Sequence, residues 1–483
     1  MTIDAAALLD GFRHSWIDGA PWVARGEGIP SINPATGLDQ GLIDDGGGQA
    51  ADIAVMAARD AFNGGWGRLR SAERSGHLLA WAERIAANID QLAWLETLEV
   101  GRPITDARAL VSQGPGLVRY CASLIGDLAV RADGVARRPR GVVGAITPWN
   151  FPVANVLVRA APILAAGNCL VLKPSELSPR SAVLLGQLAS EAGLPAGVFN
   201  VVLGRGDTTG AALAAHSDVD MITFTGSTQT GRAIAQTAAS LRLKPVALEC
   251  GGKSAQIVAQ DMIDEDEIWP AIFWSAFWNT GQWCASRSRL LVPSGKLHRA
   301  VAGLAAAAEA WRVGDPSDPT TALGPLASSR QHRTVAGYRE TARAASAHLV
   351  LPCPLGMLDP RGFFVCPELI LNPGADAPVW REETFGPLLA VQEYADIDEA
   401  VGLAEASDYG LASTLWTADR NLAEAVAERL TVGSVDVMTT PQAKPGLGSG
   451  GYFEPRKQSG YGVDGGFQGM AAYTAPQAIT YVS

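Results

Sequence analysis

The stretch GVVGAITPWNFPVANVLVRAAPILAAGNCLVL (residues 141–172) contains the pattern that decides the fold. Its apolar run at 141–146 predicts a short strand that ends before Pro148. Helical spacing at 153–166 follows, and after Gly167-Asn168 the run at 169–172 predicts a second strand. Two strands joined by one helix are the repeating unit of a parallel, doubly wound sheet.

The same alternation extends in both directions from this unit. It predicts further helices at 52–62, 72–89, 181–191 and 231–240, and strands at 198–203 and 221–224. A second α/β region runs from about residue 255 to 465, with apolar strands at 289–292, 388–391 and 434–438. We therefore expect an α/β protein whose ligands bind at the carboxyl ends of the strands.

Composition limits the classes of function. With 483 residues the chain is long enough for two or three domains. Its 38 basic and 49 acidic residues give a formal charge of −11, which argues against nucleic acid or an anionic membrane as partner. The acidic N-terminus and the short apolar runs indicate neither a signal peptide nor a membrane span. We expect a cytoplasmic protein.

None of the six cysteines forms a C-x-x-C pair, and no Cys/His group has the spacing of a zinc site. We therefore expect no metal. In a reducing compartment, disulfides are not expected either, and buried apolar roles suit most of these cysteines.

Two features at strand ends suggest a nucleotide site. Gly226-Ser227 and Gly231 follow a strand and open a helix, where free N–H groups and the helix dipole can hold a pyrophosphate. Lys173 and Glu176 follow another strand of the same sheet and suit ribose hydroxyls. Taken singly, a plain helix cap and a surface salt bridge explain these residues equally well or better. The run at 204–210 misses the dinucleotide spacing by one residue and is interpreted as an ordinary turn.

Three residues suggest carbonyl chemistry. Cys284 lies in a polar loop between a helix and a strand, and an accessible thiolate attacks carbonyl carbon readily. Glu249 ends a strand before Gly251-Gly252 and could activate water or merely cap a turn. Asn150, held between two prolines, could donate to an oxyanion or simply form a turn. No histidine lies in these segments, which argues against a Cys–His or Ser–His hydrolase.

Together these segments resemble the aldehyde dehydrogenase superfamily, and the similarity covers nearly the whole chain. Each motif is modest alone, but their shared order and spacing carry the resemblance. The matching runs are NPATG (33–37), TPWNFP (147–152), AGN (166–168), LKPSE (172–176), FTGST (224–228) with Gly231, LECGGKS (248–254), NTGQWC (279–284) with Arg289, and EETFGP (382–387).

The resemblance implies three structural parts and an oligomer. A Rossmann-like cofactor domain would comprise residues 1–120 and 140–251, and a catalytic domain residues 252–466. A small β arm for oligomerisation would comprise residues 121–139 and 467–483. It would use the β-rich terminal run at 478–482, which has no evident partner nearby in the sequence. Family members are usually homodimers or homotetramers.

The resemblance also implies the chemistry. Cys284 would be the nucleophile, the amide of Asn150 and the backbone N–H of Cys284 would stabilise the oxyanion, and Glu249 would activate the hydrolytic water. NAD is favoured over NADP, which remains possible, because Glu176 would repel a 2′-phosphate. The cofactor-binding residues would be Trp149, Lys173, Glu176, Gly226, Ser227, Gly231, Cys250, Glu383 and Phe385.

Two departures from the family pattern stand out. Cys250 replaces a usual leucine, either as a small buried residue or as a redox partner of Cys284. Near the C-terminus, the loop at 446–456 is a few residues longer than usual, and Met438 replaces a usual asparagine.

The substrate prediction depends on three aromatic residues. Phe151, Trp278 and Trp283 fall at positions that line the aldehyde tunnel in relatives, which favours an apolar or aromatic aldehyde. Val158 stands where succinic-semialdehyde relatives have an arginine and argues against a dicarboxylic substrate. The alternatives are a CoA-acylating semialdehyde dehydrogenase, disfavoured by Glu249, a homologue without activity that serves as a structural or binding protein, and a thiol hydrolase, which would not need the cofactor features.

Overall fold

The computed structural model describes residues 4–129, 135–345, 347–443, 453–480 and 482. The chain forms two large sheets, and the central strands of each sheet are parallel to one another. No helix within these ranges is long and apolar enough to cross a membrane.

The first sheet has eight strands in the order β2-β1-β8-β7-β6-β9-β10-β20. Strands β6 to β10 are parallel to one another, whereas the edge strands β1, β2 and β20 pair antiparallel. The strands in this half of the chain are β1 Ser15–Ile17, β2 Ala20–Trp22, β3 Ile29–Ile32, β4 Asp39–Ile43, β5 Val135–Pro139, β6 Val142–Ile146, β7 Cys169–Lys173, β8 Phe199–Val201, β9 Met221–Thr225 and β10 Val246–Glu249.

The second sheet has seven strands in the order β13-β14-β15-β12-β11-β17-β18, and all pairs are parallel except β13 with β14. The strands in this half are β11 Ala255–Val258, β12 Arg289–Pro293, β13 Ala347–Val350, β14 Glu368–Leu371, β15 Leu388–Tyr394, β16 Tyr409–Gly410, β17 Ala412–Trp416, β18 Ser434–Met438, β19 Arg456–Lys457, β20 Gly460–Tyr461 and β21 Thr474–Ala478. Because β20 joins the first sheet, the chain returns to the first sheet after building the second one.

The helices bury apolar faces against these sheets and form one core in the first half and several smaller ones in the second. They are α1 Ala5–Gly11, α2 Gly47–Asn63, α3 Ser71–Ala87, α4 Ile89–Val100, α5 Ile104–Val111, α6 Gly114–Ala129, α7 Pro152–Ala165, α8 Arg180–Glu191, α9 Ala211–Ala215, α10 Thr228–Leu241, α11 Ile268–Phe277, α12 Leu297–Ala308, α13 Ser329–Ala345, α14 Pro378–Arg381, α15 Ile397–Glu405, α16 Arg420–Ala427 and α17 Gly466–Ala472.

The strand–helix–strand unit predicted within residues 141–172 forms β6, α7 and β7. Pro152 suits the first turn of α7, where a missing N–H costs nothing. After α7, Gly167 takes a φ of +89°, a conformation that glycine adopts without a steric penalty. The chain can therefore turn at once into β7, which pairs with β6 in parallel register. The doubly wound α/β fold class is confirmed.

The C-terminal strand differs from its prediction. The structure places it at β21, four residues before the predicted run at 478–482, and residues 479 and 480 are not in a strand. It also has a partner in the same chain, since β21 pairs antiparallel with β5 in a separate two-stranded sheet. Periodicity alone could not reveal this pairing because the two strands lie more than 300 residues apart, although the family resemblance places both segments in one arm. The domain boundaries and the oligomeric use of this arm stay predictions.

Candidate active site

A cleft of about 800 Å³ lies at the carboxyl ends of the parallel strands of the first sheet. Residues at or just after the ends of β6, β7, β9 and β10 line one side of it, and segments at 327–331 and 383–385 line another. The cleft brings together the following predicted residues: Trp149, Asn150, Phe151, Lys173, Glu176, Gly226, Ser227, Glu249, Cys250, Cys284, Glu383 and Phe385. Gly231, Trp278 and Trp283 are not among its lining residues.

Asn150 is buried just before α7, and hydrogen bonds hold both its backbone and its side chain. Its backbone carbonyl accepts from the guanidinium of Arg102 and from Nδ2 of Asn279 at 3.3 Å. Its own Nδ2 donates to the backbone carbonyl of Gln282 at 3.2 Å. The amide is therefore tied to the loop that carries Cys284, two residues after Gln282.

That loop has an unusual backbone. Asn279, Thr280 and Gly281 have φ values of 54°, 56° and 70°, in the left-handed region. Only glycine fits the third position, since a Cβ there would come within 2.3 Å of the carbonyl oxygen of Gly386. Strained backbone of this kind persists where the surrounding structure over-determines it, as at many active sites. Here it packs the cysteine loop against the segment that follows Phe385.

The thiol of Cys284 is half-buried in the cleft. Burial raises its pKa to about 12, and the carboxylates of Glu383 and Glu249 add to the increase, while backbone N–H groups of Ala285 and Cys284 oppose it. At neutral pH the resting group is therefore a thiol, and it must lose its proton before it can attack a carbonyl.

Glu249 ends β10 and is buried at the cleft. Burial raises the pKa of its carboxyl well above the usual value, the nearby Asp464 raises it further, and Arg159 opposes the increase. Asp464 itself forms an ion pair with Arg159 at 2.8 Å. A carboxylate with a raised pKa is a stronger base toward water or a thiol than an exposed one.

The cofactor side of the cleft has the features of a dinucleotide site. Ser227 is the N-cap of α10 and accepts from the backbone N–H of Thr230 at 3.3 Å, so the N-terminus of this 14-residue helix opens on the cleft. At the end of β7, Nζ of Lys173 lies 3.1 Å from the partly exposed carboxylate of Glu176. These groups fit a pyrophosphate and a ribose.

The segment at 383–385 crosses the cleft from the second sheet. Glu383 accepts from the backbone N–H of Gly252 at 2.9 Å, and a Cβ on Gly251 would lie within 2.3 Å of its carboxylate. Burial raises the pKa of Glu383 to about 7, opposed by that hydrogen bond and by the charge of Lys253. The ring of Phe385, at a φ of 49°, meets Trp149 edge to face at 5.4 Å.

Cys250 is buried and points toward α10. A Cβ on Gly231 would come within 2.8 Å of its Sγ, so the cysteine fills the space that this glycine leaves. Burial raises the pKa of this thiol to about 12, and the carboxylates of Glu249 and Glu383 add to the increase. This position supports the interpretation of Cys250 as a small buried residue beside the phosphate-binding helix.

The aromatic residues form a cluster behind the cleft wall. Phe151 lines the cleft and stacks on Trp278 at 5.4 Å, and Trp278 meets Trp283 edge to face at 5.5 Å. Both tryptophans are buried, and Trp274 packs against each of them. The guanidinium of Arg102 lies 4.5 Å from the centre of the Phe151 ring. Trp278 therefore packs directly against Phe151, and Trp274 and Trp283 pack against Trp278.

Sequence reasoning missed several residues of the site. Arg159 is the single charged residue in the apolar helix α7, which was a usable signal, but its partner Asp464 lies about 300 residues away. Gln331 donates from Nε2 to the backbone carbonyls of Thr384 and Phe385 and so supports the crossing segment. Of the predicted loop at 446–456, residues 446–452 lie outside the described residues.

Comparison of the sequence and the structure with known proteins finds aldehyde dehydrogenases in each case. The model of the family described as "Aldehyde dehydrogenase family" matches residues 22–479. The chain is 37% identical to an aminoacetaldehyde dehydrogenase of Pseudomonas aeruginosa, covering 95% of this chain and 93% of the relative. It is 36% identical to betaine aldehyde dehydrogenase 1 of Oryza sativa subsp. japonica, and the match covers 94% of this chain and 92% of that relative. An indole-3-acetaldehyde dehydrogenase of P. syringae, solved with NAD+ and IAA, superimposes with a TM-score of 0.89 at 33% identity, covering 99% of each chain.

Proposed function

The chain belongs to the aldehyde dehydrogenase family, and from that premise we propose that it oxidises an aldehyde to the carboxylic acid with NAD, through a thioester on Cys284. The observation that carries the proposal is that Cys284, Asn150 and Glu249 line the same cleft as Ser227, the N-cap of α10. The reaction consumes the aldehyde, NAD and one water, and yields the acid, NADH and a proton.

The side chains divide this reaction between them. The thiolate of Cys284 adds to the carbonyl carbon, and the resulting oxyanion receives hydrogen bonds from Nδ2 of Asn150 and from the Cys284 backbone N–H. NAD, when bound, supplies the hydride acceptor that converts this thiohemiacetal to the thioester. Glu249 then takes a proton from water as the water attacks the thioester. The proton that the Cys284 thiol loses before it attacks is the proton that the overall reaction releases.

We assign the cofactor contacts by position in the cleft. Ser227 and the first N–H groups of α10 would hold the pyrophosphate, and Lys173 with Glu176 the adenosine ribose. Glu383 and Phe385 would hold the nicotinamide ribose. The relatives solved with NAD+ support NAD as the cofactor of this cleft.

The carboxylate of Glu176 is expected to decide the choice between NAD and NADP. In Glu176→Gln, the repulsion of a 2′-phosphate is lost, so kcat/KM for NADP should rise about 5-fold, since a close pair of like charges at a partly exposed site costs on the order of 1 kcal/mol. Initial rates with each cofactor give the ratio of kcat/KM for NADP to kcat/KM for NAD. Glu191→Gln, on the surface of α8, is the control. An unchanged ratio in Glu176→Gln would assign cofactor choice to other residues.

Asp464 is expected to set the pH dependence of thioester hydrolysis. In Asp464→Asn, Glu249 loses a negative neighbour, and Arg159 is freed to pair with it. Both changes lower the pKa of Glu249, so the acid limb of the hydrolysis rate should move to lower pH. Single-turnover hydrolysis rates measured across a range of pH give the midpoint of this acid limb. Asp464→Glu, which keeps the charge, should leave the limb near its original position, and an equal displacement in both variants would contradict the assignment.

For the substrate we propose an apolar or aromatic aldehyde. Phe151 lines the same cleft as Cys284, and its ring stacks on Trp278, so it presents an aromatic surface to the cleft. The relatives' names include amino, betaine and indole-3-acetaldehyde dehydrogenases, so aldehydes with nitrogen-containing groups belong in any substrate panel.

NADH formation with a panel of aldehydes tests the proposed function. Benzaldehyde, hexanal, aminoacetaldehyde, indole-3-acetaldehyde and succinic semialdehyde are each supplied with NAD or NADP, with and without CoA. We expect NAD reduction that needs no CoA and is lost in Cys284→Ala. An absolute need for CoA would support the acylating alternative, whereas a folded protein that binds NAD and reduces none with any aldehyde would support a homologue without this activity.

A further inference from the structure

A second asparagine contacts the amide of Asn150. Nδ2 of Asn155, in the second turn of α7, donates to Oδ1 of Asn150 at 3.3 Å. The backbone N–H of Asn155 also donates to the carbonyl of Phe151 at 2.8 Å, which places the backbone of Asn155 in the first hydrogen-bonded turn of the helix. Both asparagines line the cleft, and Asn155 is half-buried.

A backbone carbonyl determines the direction of these hydrogen bonds. The carbonyl of Gln282 can only accept, so the Asn150 side chain must present Nδ2 to it. Oδ1 of Asn150 then lies on the opposite side of the amide, where it needs a donor, and Nδ2 of Asn155 is that donor. If the Asn150 amide were turned over, its Oδ1 would face the Gln282 carbonyl, and two acceptors would repel each other.

The arrangement leaves one hydrogen of Asn150 for the reaction. A side-chain NH2 group has two hydrogens, and Gln282 uses one of them. Within the described part of the chain, no second acceptor receives a bond from Nδ2 of Asn150. The other hydrogen can therefore serve a substrate oxygen at Cys284.

We propose that Asn155 is a positioning residue that keeps the amide of Asn150 oriented with its N–H toward the oxyanion. This inference rests on the proposed role of Asn150 as oxyanion donor. Asn155 touches the Asn150 amide and acts on the reaction through it, so its effect on rate should depend on the presence of that amide.

A double-mutant cycle with 4-nitrophenyl acetate tests the proposal. Transfer of its acetyl group to Cys284 forms the same kind of oxyanion and releases 4-nitrophenolate without cofactor, so the test does not depend on knowing the aldehyde. Asn155→Leu has nearly the same volume and no donor. It should slow the release about 3- to 10-fold, the usual effect of one neutral hydrogen bond. In the Asn150→Ala background the same substitution should change the rate less than about 2-fold.

A charged variant adds a second, independent readout. The carboxylate of Asn155→Asp can only accept, so it should favour the turned-over Asn150 amide and slow the release more than Asn155→Leu does. Equal melting temperatures and equal NAD affinity of the two variants would exclude a folding defect. An equal loss from Asn155→Leu in both backgrounds, or an Asn155→Asp protein as fast as the unchanged chain, would overturn the proposal.

Discussion

Replacing Glu249 by glutamine is expected to stop the enzyme after one turnover. The substituted side chain can still line the cleft, but its amide cannot take a proton from water, so the thioester on Cys284 should accumulate. NADH should appear in a burst of about one equivalent per active site, followed by a steady rate lower by about 10²- to 10⁴-fold, the usual contribution of a general base. Stopped-flow absorbance at the reduced-nicotinamide band measures both phases.

Two controls separate this role from a structural one. Glu249→Asp keeps a carboxylate at a shorter reach and should recover part of the steady rate. Glu383→Gln removes a carboxylate that binds the backbone N–H of Gly252 instead, so it should slow the first turnover rather than produce a burst and a stall. A Glu249→Gln enzyme with unchanged steady turnover would remove Glu249 from the hydrolytic step.

Replacing Asn150 by alanine is expected to lower kcat about 10²- to 10³-fold, as loss of one oxyanion donor does in other acyl-transfer sites. The effect should fall on kcat and kcat/KM together, because the hydrogen bond strengthens as negative charge develops on the carbonyl oxygen. NAD affinity should be unchanged. Pre-steady-state NADH formation and a separate NAD titration measure these quantities.

Asn150→Asp is the matched variant. It keeps the shape of the side chain but places a carboxylate where the amide donates to the Gln282 carbonyl, so it should lose more activity than the alanine variant. A loss smaller than about 5-fold in Asn150→Ala would show that the backbone N–H of Cys284 stabilises the oxyanion without help from this amide.

Local sequence patterns predict most of the helices and strands of the fold. The runs that form β6, α7 and β7 have clear periodicity, and proline and glycine mark the ends of the helix, so their bounds are predictable within about two residues. The pairing of β21 with β5 and the return of β20 to the first sheet are long-range events. Alternation within a five-residue strand carries no information on its partner, so the residues of β21 alone do not predict its pairing with β5.

The residues of the candidate site also fall into those that local sequence marks and those whose contacts are long-range. Motif residues such as Cys284, Glu249 and Ser227 lie at loop and strand ends that the sequence marks with glycine and polar residues. The contacts that set their chemistry are not local: Asp464 affects the pKa of Glu249 from a segment about 200 residues later. Asn155 is close to Asn150 in sequence, but its proposed role still depends on a distant residue. The carbonyl of Gln282 determines which way the Asn150 amide faces, and therefore which of its atoms contacts Asn155.

The most direct test of the account is to detect the acyl group on Cys284. Glu249→Gln protein is mixed with NAD and the aldehyde that reduces NAD fastest, quenched in acid during the stall, digested, and analysed by mass spectrometry. We expect the peptide containing Cys284 to gain the mass of one acyl group, hydroxylamine to remove it, and protein incubated without NAD to lack it. An unmodified Cys284 peptide after a full NADH burst, or an acyl group on the peptide of Cys250 instead, would contradict the thioester on Cys284.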